Sequence, residues 1–208
     1  MKALFAGCGF LTSHYILDLL PHLDRVILLD RERLEKENLD NYIAPVGSIG
    51  KRKVAVLASF LQILSPIPVT VINQNVKTVE DLKRLHRIFE PDIVFLSFDN
   101  LESRILVKDY VMEMEVPAIN VGVTENYVMV DWVDRIRWPE DPAEIERVKR
   151  EISAVRKVCS RLEFRGLGAL SSALVYYVFR HFLDTGNQIG YIASTTGNRI
   201  TLSVVGDV

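Results

Sequence analysis

"FAGCGFLTSHYILDLL" (residues 5–20) is the stretch on which the fold reading turns. An apolar run ends in Gly7-Cys8-Gly9 and gives way to apolar residues at helical spacing, Leu11, Tyr15 and Leu19. The pattern reads as a strand, a glycine turn and a helix. In such a layout the first glycine permits the turn and the second lets backbone approach a phosphate. The helix N-terminus then adds its partial positive charge. Thr12 stands where the dinucleotide fingerprint has its third glycine. Asp30 follows Gly9 by 21 residues and closes "RVILLD" (25–30), where an acid accepts hydrogen bonds from ribose hydroxyls. On these residues alone an NAD enzyme, an ATP enzyme and a tight turn that binds nothing all stay open.

Outward from this stretch, apolar and amphipathic runs alternate. "KALFAG" (2–7), "RVILLD" (25–30), "PVTVIN" (68–73), "PDIVFLSF" (91–98), "VPAINVGV" (116–123) and "NYVMVDWVDRI" (126–136) read as strands. Helical runs are 11–23, 51–64, 78–89 and 100–114, the third opening on Thr78 as N-cap with Asp81 in its first turn. The polar stretch 32–50, with Pro45, Gly47 and Gly50, reads mostly as loop. This alternation predicts an α/β fold, Rossmann-like and doubly wound around a mostly parallel sheet. The last third changes character: a charged helix (141–158), an almost uncharged helix (166–183) and a closing hairpin around Thr196-Gly197-Asn198. We expect one nucleotide-binding domain, 1–208, with 1–136 as the Rossmann core and 137–208 as C-terminal helices and hairpin.

Bulk properties narrow the function. The 208 residues are 49% hydrophobic and 25% charged, with a net charge of −2. No basic stripe marks a nucleic-acid partner, and no apolar run reaches the ~20 residues of a membrane span. A leader of the charged-apolar-small type does not precede the first strand, so a cytoplasmic location is expected. Cys8 and Cys159 are the two cysteines, too few for a disulfide scaffold or a zinc-binding pair of CxxC motifs. His14, His22, His86 and His181 lack metal-ligand spacing. Tyr176, Tyr177 and Phe179 read as core or dimer surface.

Three further stretches, "LLDRERLEKENLDNY" (28–42), "IGKRKV" (49–54) and "SFDNLESR" (97–104), come in an order and spacing that resemble the E1-like superfamily of ubiquitin-like-protein activators, the ThiF, MoeB and HesA group. Asp30 and Glu32 match its acid pair, Asn38-Leu39 its Asn-Leu, Gly50, Lys53 and Val54 its lysine motif, and Asp99-Asn100 with Arg104 its last motif. The resemblance covers roughly residues 2–136. Glu37, Asn41 and Tyr42 depart from the family's serine, arginine and glutamine, and the residues ahead of the first strand are too few for its arginine-bearing N-terminal helix.

The resemblance implies an ATP- and Mg²⁺-dependent adenylyltransferase that activates a carboxylate, on a carrier-protein C-terminus, a peptide or a small biosynthetic acid, with release of pyrophosphate. A carboxylate is already ionised near neutrality, so the step needs no general base and rests on positioning and charge neutralisation. Lys53 is the expected phosphate-neutralising cation, the alternative being an exposed helix-face lysine. Asp99 is the expected Mg²⁺ ligand, and it is also placed to cap the following helix. Arg104 is expected to fix the Asp99 carboxylate. Gly7, Gly9, Phe10, Asp30, Asn38, Asn41, Lys53 and Asn100 are the expected nucleotide-binding residues. Some family members use a cysteine ahead of the last glycine-rich helix, and Cys159 stands there, although an incidental cysteine is the commoner case. The resemblance also implies a homodimer; in it, we expect Arg31 or Arg33 of the polar loop of the second chain to supply a missing basic group. An NAD-dependent oxidoreductase and a catalytically silent E1-like subunit are the competing readings. The first leaves Lys53 and Asp99-Asn100 without a task; the second is favoured by Asn41.

Overall fold

The computed structural model describes residues 1–124, 126–158, 164–196 and 199–205. One eight-stranded sheet runs through it: β1 (Lys2–Ala6), β2 (Arg25–Leu29), β3 (Val69–Ile72), β4 (Ile93–Leu96), β5 (Ala118–Val123), β6 (Tyr127–Trp132), β7 (Gly190–Thr196) and β8 (Arg199–Val205). Their spatial order is β3-β2-β1-β4-β5-β6-β7-β8. The pairs from β3 to β5 are parallel, and those from β5 to β8 are antiparallel. The expected Rossmann-like half is present, and the closing hairpin joins the same sheet, leaving β8 on its edge.

Six α-helices are described: α1 (Phe10–Leu19), α2 (Lys53–Leu64), α3 (Val79–Phe89), α4 (Leu101–Met114), α5 (Pro142–Val158) and α6 (Phe164–Thr185). Alternation along β1 shows how the core is layered. Ala3 and Phe5 pack with Tyr15, Leu57 and Phe179 under α1, α2 and α6. Leu4 and Ala6 pack with Leu82 and Val107 under α3 and α4. A strand buried on both faces needs an apolar residue at every position, which is what "ALFA" supplies. Thr78 caps α3 as expected: its hydroxyl accepts from Asp81 N, and the Asp81 carboxylate accepts from Thr78 N.

Two boundaries differ most from the sequence reading. The helix expected over 11–23 ends at Leu19 and tightens into a 3₁₀ turn, Leu20–His22, with Pro21 inside it. The strand expected over 126–136 ends at Trp132, where Val133 N still bonds Ala118 O before the chain turns. Gly197 and Asn198 of the hairpin turn lie outside the described residues. Among the described residues no helix is long and apolar enough to cross a membrane.

Candidate nucleotide site

The chain leaves β1 and β4 at neighbouring points on one sheet edge and turns into helices on opposite faces, the position where open α/β sheets bind ligands. Gly7 has φ +98°, and a Cβ built on it would lie 2.7 Å from Phe98 N and 2.8 Å from Ser97 C. Only glycine fits there. Gly9 is the N-cap of α1 and offers no side chain to the first-turn amides. A Cβ on Gly9 would meet nothing within 4 Å, so open space lies in front of the helix N-terminus. These are the two features an anionic phosphate requires: a donor-bearing helix end and room beside it. Phe10 contributes backbone at this end, while its ring turns to His14, with ring centroids 5.1 Å apart.

Asp30 is buried directly beneath the turn. One carboxylate oxygen accepts from Cys8 N at 2.8 Å and the other from Glu32 N at 2.7 Å. Burial pushes its carboxyl above the ordinary range, and the two backbone bonds pull the other way. A carboxylate has about four lone-pair sites, so two amide bonds leave acceptor capacity for a ribose. Cys8 itself is fully buried, and burial raises its thiol.

Lys53 opens α2, yet it is only 8% exposed, which corrects the exposed helix-face alternative. The segment 31–52 folds back on itself and brings Glu32 to it: Glu32 O accepts from Lys53 N, and Glu32 Oε2 lies 2.5 Å from Lys53 Nζ. The second acid of the family's pair and its lysine thus meet in an ion pair, and the Lys53 charge is also felt at Asp30. Asn38 sits in a 3₁₀ turn, where its Oδ1 accepts from Glu35 N at 2.9 Å. Asn41 is 2% exposed, and its carbonyl accepts from His14 Nε2.

Asp99 lies exposed just past β4. It does not cap α4; Asn100 does, with its side-chain oxygen accepting from Ser103 N at 2.8 Å. Asn100 Nδ2 also reaches Asp99 Oδ1 at 3.5 Å. Arg104 is no surface arginine. Its Nε donates to Phe98 O at 2.6 Å, Nη1 to Asn120 Oδ1 and Nη2 to Val121 O at 2.9 Å. Burial pushes the guanidinium down to about 10, with the Asp99 charge opposing that fall. Arg104 therefore ties the β4–α4 turn to β5 as well as facing Asp99. Asn120 was missed in the sequence, although a lone amide in the apolar "VPAINVGV" was a legible signal, since buried polar groups in strands need partners.

The residues fit a nucleotide with its metal. Gly7, Gly9, Asp30, Lys53 and Asp99 belong to loops and helix ends following β1, β2 and β4 or leading into α2. No group of three metal-ligating side chains occurs among the described residues. A single carboxylate suits Mg²⁺, which is commonly held by one or two protein oxygens plus phosphates and water. Cys159 lies outside the described residues.

Residues 1–178 match the model of the ThiF family. Among curated proteins, ubiquitin-like modifier-activating enzyme 5 of Drosophila erecta is 24% identical over 207 residues, spanning 89% of this chain and 50% of that enzyme. The Drosophila simulans enzyme of the same name is 28% identical over 134 residues, spanning 59% of this chain and 32% of that enzyme. The fold is shared with solved structures of E. coli MccB. The complex with MccA-N7isoASN has a TM-score of 0.75 at 20% identity, covering 99% of this chain and 64% of MccB. The complex with ATP has a TM-score of 0.74 at 20% identity, covering 99% and 63%. PaaA has a TM-score of 0.67 at 13% identity. The chain spans half or less of the two curated enzymes and under two thirds of MccB. With the family model running from the first strand into the last helix, the chain belongs to the ThiF family, within the E1-like superfamily.

Proposed function

We propose that this protein is an ATP-dependent adenylyltransferase that activates a carboxylate and releases pyrophosphate. Members of the ThiF family adenylate carboxylates with ATP. The observation that carries the reading to this chain is the ion pair of the buried Lys53 with the part-exposed Glu32, set beside the glycine turn. A lysine already paired at the site can exchange its carboxylate for a phosphate with little reorganisation. In the reaction an acceptor carboxylate oxygen forms a bond to the α-phosphorus, and the bond to the bridging oxygen of pyrophosphate breaks. The α1 amides and Lys53 hold phosphate oxygens, Asp30 holds the ribose, and Asp99 would hold Mg²⁺, which neutralises charge on the leaving group. Arg104 and Asn100 keep Asp99 in place. Asn38 and Asn41 act through backbone and turn geometry.

The acceptor we propose is the carboxylate of a carrier-protein C-terminus, a peptide or a small acid; MccB is crystallised with its peptide substrate MccA and with ATP, which supports the second. We propose a single domain, 1–208, with 1–136 as core. We further propose a homodimer, with Arg31 or Arg33 of the second chain near the γ-phosphate. Apolar residues alternate along one face of the edge strand β8, Ile200, Leu202 and Val204, all more than half exposed, and Tyr177 is 65% exposed on α6. Such a surface is more apolar than a monomer usually leaves to water. Sedimentation equilibrium with nucleotide tests this: a two-chain mass is expected, and a single-chain mass rejects it.

Pyrophosphate exchange with ATP and a panel of carboxylates tests the reaction. Exchange that depends on one acceptor class is the expected result; tighter binding of NAD than of ATP rejects it. One observation favours the catalytically silent reading. Asn41, at the family's arginine position, is uncharged and buried, so it delivers no positive charge to a phosphate. ATP binding without exchange against any carboxylate would select that reading.

A further inference from the structure

Thr12 occupies the place of a glycine, and its hydroxyl is used. Thr12 Oγ1 donates to Gly7 O at 2.6 Å. Ser97 Oγ lies 2.6 Å from Thr12 Oγ1 and 3.1 Å from Gly7 O. Tyr15 OH lies 3.1 Å from each of the two hydroxyls. Thr12 and Tyr15 are inaccessible to solvent and Ser97 nearly so. Three hydroxyl groups bring three protons, while the Gly7 carbonyl is the one member that can only accept. With Thr12 donating to that carbonyl, the Ser97 and Tyr15 hydroxyls can each donate within the cluster, so all three protons are used. One such arrangement runs as a chain, Tyr15 to Ser97 to Thr12 to Gly7 O, in which each bond polarises the next. Burial pushes the Tyr15 phenol up to about 12, so its proton stays on at neutral pH.

The other end of the same peptide is held too. A trans peptide points its carbonyl and the following N–H in opposite directions. Gly7 O faces the three hydroxyls, and Cys8 N–H faces Asp30 Oδ2 at 2.8 Å. The Gly7–Cys8 plane is thus gripped from both sides by side chains of α1 and of the residues just past β2 and β4.

We propose that Thr12, Tyr15 and Ser97 act as one positioning unit that sets the Gly7–Cys8 peptide plane, and through it both the α1 amides and Asp30, for nucleotide binding. The proposal rests on the nucleotide-binding reading of this site. It explains why a hydroxyl residue replaces the third fingerprint glycine: here the helix is held against the turn by a hydrogen bond rather than by close backbone approach.

The test uses the full chain and two readouts, Mg²⁺·ATP affinity by calorimetry and hydrogen exchange of the Cys8 amide without nucleotide. Thr12→Val keeps the side-chain shape and removes the donor. It is expected to weaken ATP about tenfold, the weight of one buried hydrogen bond, and to speed Cys8 exchange by a similar factor, while Thr12→Ser restores both. Tyr15→Phe should move both readouts in the same direction by less. Unchanged Cys8 exchange in Thr12→Val overturns the clamp. Faster exchange with unchanged ATP affinity overturns its role in binding. If Thr12→Val does not fold, Ser97→Ala and Tyr15→Phe are judged by the same two criteria. Wild-type protein that fails to bind ATP defeats the nucleotide reading by itself, and with it the binding role, while Cys8 exchange still decides whether the clamp exists.

Discussion

Around the glycine turn the fastenings reach across the fold. Gly7 N bonds Leu29 O, Cys8 N bonds Asp30, and Thr12 meets Ser97 from 85 residues away. In the 31–52 segment most lie within the segment itself, which is joined to α1 through His14 Nε2–Asn41 O and Ile43 N–Ser13 Oγ. Asn38, Leu39 and Tyr42 bond back three or four residues, Ser48 bonds Pro45, and Arg33 reaches Gly50 O. Leu34 and Tyr42 are buried in a small cluster of their own with Val56, apart from the two large cores. Segments held by few long-range contacts open at lower free-energy cost than the core they border. The difference separates two tasks. The turn is a cradle fastened from α1 and from the ends of β2 and β4; the segment beside it carries charge that can be re-paired, with Lys53 on Glu32.

The sharpest way to break that comparison is Gly7→Ala. The left-handed conformation alone costs roughly 1–2 kcal/mol for an L side chain, and backbone at 2.7 Å cannot yield as a side chain would. Urea unfolding should show a loss of about 3 kcal/mol or more, with ATP binding abolished. Gly9→Ala, with nothing within 4 Å, should cost far less stability while still weakening ATP by filling the phosphate space. Equal losses in the two variants would mean that the turn is not fastened in this way.

Lys53→Ala addresses the exchangeable side. Removing a preorganised charge that meets developing negative charge costs about 100-fold in rate or more, so pyrophosphate exchange should fall by that order. Stability should change little, because Glu32 keeps 31% of its side-chain surface in water. Glu32→Gln should have a smaller effect on exchange, since it removes the resting partner of Lys53 and leaves the lysine. A larger loss in Glu32→Gln than in Lys53→Ala would reverse the roles assigned to the pair.

The smallest expected effect is a pH dependence of the cradle. Asp30 has a raised carboxyl in the folded state against 3.8 for the free group, so the folded chain binds more protons than the unfolded one above that value. Its contribution to stability is therefore greatest below 3.8 and falls as pH rises toward the folded pKa, then stays level. Urea unfolding of wild type and Asp30→Asn across pH 4 to 7 should show the wild type losing ground to the variant as pH rises. A difference that grows in favour of wild type would mean that the backbone bonds from Cys8 and Glu32 outweigh burial.

Much of the architecture was legible in the residues. The apolar run into Gly7, the acid closing the second strand and the β-branched strands fixed the parallel half, because burial on both faces demands near-continuous apolar sequence. The Thr78–Asp81 cap was legible because it is a contact between residues three apart. The E1-like motifs pointed to the family, and the family model bears that out. Other features had no local trace. Lys53 was expected as the phosphate cation from its motif, but nothing near it in the chain named Glu32 as its partner until the 31–52 segment folded Glu32 onto it. Arg104 looked like a partner of Asp99 alone, and its bonds to Asn120 and Val121 come from a strand sixteen residues on. The three hydroxyls under Gly7 come from α1 and from the end of β4, two elements that period and propensity describe separately. The hairpin signal around Thr196-Gly197-Asn198 likewise marked β7 and β8 as paired strands without saying which edge they would extend. Chain-local rules determine which segments are strands, helices and turns, because those depend on neighbours within a few residues. Which polar groups share a proton or a charge is decided only when the sheet order brings distant segments within 3 Å, and in this protein that includes both the cradle under Gly7 and the ion pair beside it.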